Sequence, residues 1–161
     1  MRTKIQNKTA SAEIESLGAQ LMSLKNAEGT EYLWQGNPAF WSSRAPVLFP
    51  TVGNVRGGTT IINGKPYALK RHGFARNLEH SVLDSGANFI AYSLKDSEET
   101  RKLYPFVFEL RVTYRLIENG LTTEFAVFNR GDEELPFGIG GHPGFRCPLV
   151  PGERFEDYRI L

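Results

Sequence analysis

The stretch from Phe106 to Val127 constrains the fold most. From Phe106 to Leu116 every second residue is apolar, and most residues between them are polar or charged. A period of two is typical of a β-strand with one buried face, because successive side chains point to opposite faces. The dipeptide Asn119-Gly120 favours the positive φ angles of a type I′ turn, and alternation resumes from Leu121 to Val127. We therefore predict a two-stranded hairpin that turns at Asn119-Gly120.

Further turn signals predict more antiparallel sheet. Asn63-Gly64 separates residues 59–62 from 65–69, and residues 84–87 separate two further extended stretches, 80–83 and 88–94. One short helix is expected to begin near Asp96, with Glu99 completing a capping box, and to end before Pro105. A shorter helical turn is possible over residues 37–41. The pattern as a whole predicts an all-β fold with one short helix.

Composition excludes several classes of protein. The 161 residues carry 19 basic and 18 acidic side chains, a net charge of +1, and no basic run, which argues against nucleic-acid binding. No apolar run approaches the roughly 20 residues that span a bilayer, so we expect no membrane association. A lone Cys147 and an N-terminus without an apolar stretch favour the cytoplasm. We expect residues 1–161 to form a single domain.

The first segment with possible chemistry runs from Arg44 through a Gly-rich loop at residues 53–58. It contains Arg44, Asn54 and Arg56, and its glycines leave the backbone accessible. Such a loop can line a pocket. The alternative is that both arginines are surface charges.

A second segment, residues 71–76, places Arg71, His72 and Arg76 around a glycine and a phenylalanine. A sugar site needs converging hydrogen-bond donors beside an aromatic wall, and this segment offers three donors. The alternative is an ordinary loop histidine between solvated arginines.

The third segment, residues 135–145, sets His142 among glycines and prolines. Imidazole titrates near neutral pH, so His142 is the best candidate for a general acid. Alternatively, the glycines permit close strand packing and His142 bonds the backbone. Trp34, Phe40 and Trp41 could stack on a sugar or belong to the core.

A metal site is not expected. The three histidines, His72, His80 and His142, lack the spacing of zinc motifs, and there is no cysteine cluster to help them. Cys147 has no helix N-terminus nearby to lower its thiol pKa, so an ordinary thiol is expected.

Taken together and in this order, RAPVLFPTVGNVRGG, RHGFAR and GIGGHPGF resemble the aldose 1-epimerase superfamily, especially its LacX-like and hexose-6-phosphate-epimerase-like branches. The resemblance implies a large antiparallel β-sandwich of the galactose mutarotase type, whose concave face binds a hexose or hexose phosphate. It also implies a reaction without a cofactor, in which ring opening and reclosure interconvert the sugar anomers.

The resemblance also implies roles for individual residues. His142 protonates the ring oxygen, and His72 holds the ring oxygen and neighbouring hydroxyls. A basic residue near the Gly-rich loop contacts the sugar or a phosphate. The substrate-binding candidates are Arg44, Asn54, Arg56, Arg71 and Arg76. The chain departs from the family pattern at Asn54, where many relatives carry Arg.

The family's catalytic glutamate lies beyond the matched segment, and Glu153, Glu156 and Asp157 stand outside its motif. We therefore expect residues 1–161 to be the N-terminal half of a larger mutarotase-like domain, nearly inactive alone. Exposed strand edges would favour a homodimer. The alternatives are a noncatalytic carbohydrate-binding β-sandwich module or a structural domain.

Overall fold

The computed structural model describes residues 1–159; residues 160 and 161, the end of the predicted domain, lie outside the described residues. In chain order the strands are β1 (Arg2–Gln6), β2 (Ala10–Glu15), β3 (Gln20–Asn26), β4 (Val47–Leu48), β5 (Thr59–Ile62), β6 (Lys65–Ala68), β7 (Ser81–Ser85), β8 (Phe89–Lys95), β9 (Phe108–Ile117), β10 (Gly120–Asn129) and β11 (Gly140–Gly141). The helix α1 (Glu98–Leu103) lies between β8 and β9.

Two antiparallel sheets enclose the core. One has the order β1-β2-β3 and the other the order β10-β9-β8-β7. Buried residues from both, such as Ile14 and Leu110, form one apolar cluster. The hydroxyl of Tyr114 donates to the carbonyl of Ala19 at 2.8 Å, which ties the second sheet to the chain between β2 and β3. The predicted all-β fold with one short helix is confirmed.

The predicted hairpin is confirmed, but its turn is not. The alternate residues from Phe106 to Leu116 are all buried, although β9 begins only at Phe108. Ile117 pairs with Gly120, so Glu118 and Asn119 form the turn, and no residue from 117 to 120 has a positive φ. The type I′ prediction was wrong here. The chain reversal predicted at Asn63-Gly64 is present, since β5 pairs with β6, and the two residues have φ angles of 49° and 76°.

Long-range hydrogen bonds account for this difference between the two turns. The side chain of Asn7 donates to the carbonyl of Ile117 at 3.0 Å, and the hydroxyl of Thr9 donates to that of Glu118 at 2.8 Å. These contacts from the β1–β2 connection fix the turn in a position that the local dipeptide alone does not favour.

The helix was predicted with the wrong cap. Ser97 is the N-cap residue and forms a capping box with Thr100. The carboxylate of Asp96 instead accepts from the backbone N–H of Phe108 at 3.3 Å and pairs with Arg101. The predicted end before Pro105 is confirmed. Residues 38–40 form a single turn, in which the N–H groups of Phe40 and Trp41 donate to the carbonyl of Asn37 at 3.0 and 2.9 Å. In the described chain no helix has the length and apolarity needed to cross a bilayer.

Residues 44–50 form the central segment that brings the three sequence motifs together. On one side β4 pairs with β11, and the N–H of His142 donates to the carbonyl of Pro46 at 3.1 Å. On the other side the carbonyl of Phe49 accepts from the N–H groups of Phe74 and Ala75, at 3.0 and 3.2 Å. Segments far apart in sequence are therefore neighbours through main-chain hydrogen bonds.

Candidate functional site

The backbone at His72 and Gly73 is left-handed. The φ angles are 67° and 69°, and a Cβ atom on Gly73 would lie 2.1 Å from the carbonyl oxygen of Phe49. Only glycine fits there. At His72 the same conformation costs a side-chain-bearing residue on the order of 1 kcal/mol, and such strain is concentrated at functional sites. The sharp turn sets the His72 ring beside the central segment.

The two predicted imidazoles line one hollow. Its volume is about 410 Å³, and its lining residues are Trp41, Pro46, Arg71, His72, Arg76 and His142. The ring centroids of His72 and His142 are 5.8 Å apart, and the ring of Trp41 lies 5.2 Å from that of His142. His142 is exposed and His72 half-buried, so both imidazoles are open to a ligand from solvent.

A reciprocal pair of hydrogen bonds holds the His72 ring in place. Its backbone N–H donates to the carbonyl of Gly53 at 2.9 Å, and the N–H of Gly53 donates to Nδ1 of the ring at 3.0 Å. Nε of Arg71 lies 3.1 Å from the other ring nitrogen, Nε2. A neutral imidazole accepts at only one nitrogen. Because Nδ1 accepts from the N–H of Gly53, the proton of the neutral ring lies on Nε2. That N–H faces Nε of Arg71, which is itself a donor.

The charge around His72 follows from its neighbours. Burial lowers the pKa of His72 below its ordinary value of 6.5, and the positive charges of Arg71 and Arg76 and the nearby His142 lower it further. The lowered pKa favours the neutral form of His72, which carries one ring N–H.

Arg76 adds donors that lack acceptors. Its Nη2 donates to the carbonyl of Arg71 at 3.2 Å, while its buried Nε has no hydrogen-bond partner within residues 1–159. No carboxylate is among the described residues that line the hollow. Two guanidinium groups and a ring N–H thus meet without an anionic partner, an arrangement suited to a ligand rich in oxygen acceptors.

The other predicted substrate-binding residues lie elsewhere. The guanidinium of Arg44 donates to the carbonyl of Met22 at 2.6 Å and to the side chain of Gln35 at 2.8 Å, away from the hollow. Asn54 and Arg56 line a separate depression of about 690 Å³ that also includes Arg71. The structure therefore brings Arg71 and Arg76 to the histidines but not Arg44, Asn54 or Arg56.

Sequence reasoning overlooked one contributor, Gly53, and left open whether Trp34, Phe40 and Trp41 stack on a sugar or belong to the core. Trp41 forms the aromatic wall of the hollow, whereas Trp34 and Phe40 pack edge to face with each other. Gly53 orients the His72 ring through its backbone N–H. Every residue except proline has such a donor, so the sequence does not indicate which one is used. The third histidine, His80, is buried and bonds the carbonyl of Leu78, apart from the hollow.

Comparison with known proteins identifies the family. The aldose 1-epimerase family model matches residues 1–160. The chain belongs to the aldose 1-epimerase family. It is 39% identical over 166 residues to the chromosomal LacX protein of Lactococcus lactis, covering 99% of this chain and 56% of LacX. An Escherichia coli K12 relative named "Putative glucose-6-phosphate 1-epimerase" is 29% identical over 126 residues, which cover 73% of this chain and 39% of that protein.

Two solved structures of proteins described as related to or like galactose mutarotase share the fold. A galactose mutarotase related enzyme from Lactobacillus acidophilus superposes with a TM-score of 0.95 at 46% identity, covering 98% of this chain and 53% of that one. A galactose mutarotase-like protein from Lactobacillus casei gives 0.90 at 35% identity, covering 94% and 52%. The chain thus spans about half the length of these relatives.

Proposed function

We propose that the protein interconverts the anomers of a hexose by acid–base ring opening, with His142 as the general acid. The proposal is supported above all by one observation: the rings of His72 and His142 lie 5.8 Å apart in a hollow walled by Trp41. An apolar ring face beside convergent donors is the arrangement that sugar binding requires.

The proposed reaction divides the work between an acid and a base. Protonated His142 gives its proton to the ring oxygen as the bond between that oxygen and the anomeric carbon breaks, while a carboxylate removes the proton of the anomeric hydroxyl. The aldehyde rotates, and reclosure by the reverse transfers gives the other anomer. His72 donates its Nε2–H to the ring oxygen or a neighbouring hydroxyl. No cofactor takes part.

The carboxylate is proposed to come from outside these residues. Glu153, Glu156 and Asp157 are exposed and do not line the hollow. In our proposal the base belongs to the part of the family domain that this chain does not span. A cytoplasmic location completes the proposal.

We further propose a phosphorylated hexose as the substrate class. Arg71 and Arg76 supply two positive charges to the hollow, and no carboxylate of the described residues lines it. Guanidinium groups bind phosphate through paired, charge-assisted hydrogen bonds. The name of the E. coli relative is consistent with this choice. A neutral hexose is the alternative.

A noncatalytic carbohydrate-binding module is the second candidate. It is favoured by the same lack of a carboxylate in the hollow of residues 1–159, since binding needs donors and an aromatic face but no base. The two candidates differ in one measurable outcome, which is the acceleration of mutarotation by a complete domain.

Polarimetry tests the enzymatic proposal. The sample is a chain in which residues 1–161 are followed by the C-terminal part of the L. acidophilus relative, and the substrates are fresh α-D-glucose and α-D-glucose 6-phosphate. We expect accelerated mutarotation, which His142→Ala lowers by roughly 10²–10⁴-fold, the usual contribution of one acid–base group.

His80→Asn is the matched control because it removes an imidazole that lies outside the hollow, and it should keep the rate. Binding of the sugar without acceleration would establish the module instead. An unchanged rate in His142→Ala would remove His142 from its role.

Self-association through strand edges also stays a prediction. Sedimentation of residues 1–161 at high concentration measures it, and a persistent monomer would contradict it.

A further inference from the structure

The depression next to the hollow has an apolar base and takes no part in the proposed reaction. Its volume is about 690 Å³, which is within the range of small-molecule sites. Buried Leu69 and Phe74 line it together with half-buried Val55. Leu103, the last residue of α1, also lines it and is 38% exposed. The depression therefore offers a ligand both space and apolar surface.

A Gly-rich loop forms one wall of the depression. The N–H of Gly58 donates to the carbonyl of Val55 at 2.9 Å, and the N–H of Leu69 donates to the carbonyl of Gly58 at 3.1 Å. Gly57 and Gly58 have left-handed φ angles of 64° and 69°, and a Cβ atom on either would meet no other atom within 4 Å. Main-chain hydrogen bonds thus hold the loop beside Leu69, while the space around its two glycines stays open.

Three basic residues also line the depression. Arg56 belongs to the Gly-rich loop, Lys70 and Arg71 follow β6, and all three residues are exposed. Among residues 1–159 no carboxylate lines the depression, and the ion pairs of this part of the chain include none of the three. A cleft lined by charges of one sign attracts ligands of the opposite sign. The depression therefore favours an anion.

A phosphate monoester matches this combination of charge and apolar surface. Its phosphate group carries a charge of about −1.5 to −2 at pH 7 and three acceptor oxygens, whereas a carboxylate carries a single charge. Arginine forms paired hydrogen bonds with phosphate, and lysine adds a further positive charge. An apolar or aromatic ester group would cover Leu69 and Phe74. A sugar ring fits this base less well, because its hydroxyls would lose water there without gaining partners.

Arg71 connects the depression with the hollow, because it lines both. On the side of the hollow its Nε lies 3.1 Å from Nε2 of His72. A guanidinium that pairs with an anion in the depression is no longer available to an anion in the hollow. Two neighbouring anions also repel each other. Anionic ligands in the two cavities should therefore compete.

We propose that the depression is a separate binding site for a phosphate monoester with an apolar or aromatic ester group, and that this ligand weakens the binding of a phosphorylated hexose in the hollow by engaging Arg71. The weakening is reciprocal, since each ligand lowers the affinity of the other by the same factor. The competition rests on the proposed function, because it requires a phosphorylated sugar in the hollow. The binding of the ester does not.

Phenyl phosphate is the probe, and NMR titration of residues 1–161 locates it. Gly57 and Gly58 line only the depression and His142 lines only the hollow, so their signals distinguish the two cavities. We expect the amide signals of both glycines to shift and to saturate before any change at His142. Inorganic phosphate should bind roughly 10-fold more weakly, because it leaves the apolar base uncovered. Equal affinities for the two probes, or shifts at His142 alone, would overturn the proposal.

Lys70→Gln tests the charge of the depression. We expect the affinity for phenyl phosphate to fall roughly 10-fold, because a charge-assisted hydrogen bond is lost. Lys65→Gln is the matched control: it removes an exposed lysine of β6 that does not line the depression, and it should bind the probe as the unmodified chain does. The proposal is wrong if the two variants bind the probe equally well.

The competition is measured at the hollow. The affinity for glucose 6-phosphate, followed by the ring signals of His142, should fall roughly 5-fold or more when phenyl phosphate saturates the depression. In Lys70→Gln a higher concentration of the probe should be needed for the same effect. An unchanged affinity, or an effect that Lys70→Gln does not alter, would refute the competition.

Failure of the proposed function gives a different result. Glucose 6-phosphate would then leave His142 unchanged in every sample, while phenyl phosphate would still shift Gly57 and Gly58 and still depend on Lys70. That outcome would confirm the depression as a binding site and would count against the proposed substrate of the hollow.

Discussion

Two clusters of the molecule each contain two arginines, and they are electrostatic opposites. On the outer face of the large sheet, buried Glu109 accepts from Arg111 at 2.7 Å and from Arg130 at 2.6 Å. In the hollow, Arg71 and Arg76 meet two imidazoles and no carboxylate of the described residues. In the first cluster the carboxylate accepts from both arginines, whereas in the second the arginines have no carboxylate partner among the described residues. The comparison indicates that the Glu109 cluster stabilises the fold and supports our proposal that the hollow binds a ligand.

The pKa values show the same contrast. Hydrogen bonds from Arg111 and then Arg130 lower the pKa of Glu109 from 4.5 to about 2, so folding favours its ionised form. The pKa of His72 is lowered by burial and by neighbouring positive charge, so folding disfavours its charged form. Both pKa values are lowered. The shift at Glu109 stabilises the folded state at neutral pH, because the ionised form is favoured there, whereas the shift at His72 means that protonating its ring destabilises the folded state.

Removing a donor from the hollow should have the largest effect. We expect Arg76→Met to weaken binding of glucose 6-phosphate by roughly 100-fold, because a charge-assisted hydrogen-bond pair to phosphate is lost. The melting temperature should hardly change, since no carboxylate of residues 1–159 pairs with Arg76. Titration followed by the NMR signals of His72 and His142 measures the affinity. An unchanged affinity would show that the hollow does not bind the phosphate.

The reverse outcome is expected at the outer cluster. Glu109→Gln should lower the free energy of unfolding by about 1–3 kcal/mol, because the charge-assisted bonds to Arg111 and Arg130 weaken, and should leave sugar binding unchanged. Chemical denaturation measures this change. Glu124→Gln, at an exposed position of β10, is the control and should have little effect. If both substitutions cost the same, the Glu109 cluster has no special role in stability.

Acid should affect the outer cluster in a defined pH window. Because the pKa of Glu109 is lowered in the folded state, its contribution is complete above the unfolded value of 4.5 and is lost as the pH falls toward about 2. We expect the unmodified chain to lose stability more steeply through this window than Glu109→Gln. Parallel curves, measured by denaturation at a series of pH values, would argue against the ion cluster as the cause.

The smallest effect concerns His72. The pKa of its imidazole should lie below 6.5, and Arg71→Gln should raise it because one of the positive charges that lower it is removed. A bound phosphate should raise it as well. NMR titration of the ring resolves this shift, with His80 as an internal reference away from the hollow. If neither Arg71→Gln nor bound phosphate changes the midpoint, Arg71 and the phosphate do not lie close to the His72 ring.

The sequence predicted the parts of the fold that depend on side-chain period. Alternation from Phe106 to Leu116 identified a buried strand face, and Asn63-Gly64 identified a turn correctly. The details that failed depend on distant residues. The turn at Glu118-Asn119 is held by side chains near the N-terminus, and Asp96 lost the role of helix cap because Phe108 and Arg101 use its carboxylate.

The candidate site was predicted in part for a similar reason. Motif resemblance pointed to His72, His142, Arg71 and Arg76, and these four line one hollow. Arg44 belongs to the same motif set, yet its guanidinium is occupied by Gln35 and the carbonyl of Met22. An arginine is available to a ligand only if folding brings no acceptor close to its guanidinium. The spacing of residues in the sequence does not show where those acceptors will lie.

The central segment has one more consequence. Pro46 and Phe49 are three residues apart on it, and each accepts main-chain hydrogen bonds from one of the two histidine-bearing segments. The distance between the two imidazoles is therefore set by a short stretch of backbone rather than by side-chain packing. Neighbouring side chains can therefore be exchanged while the spacing between the rings of His72 and His142 stays constant.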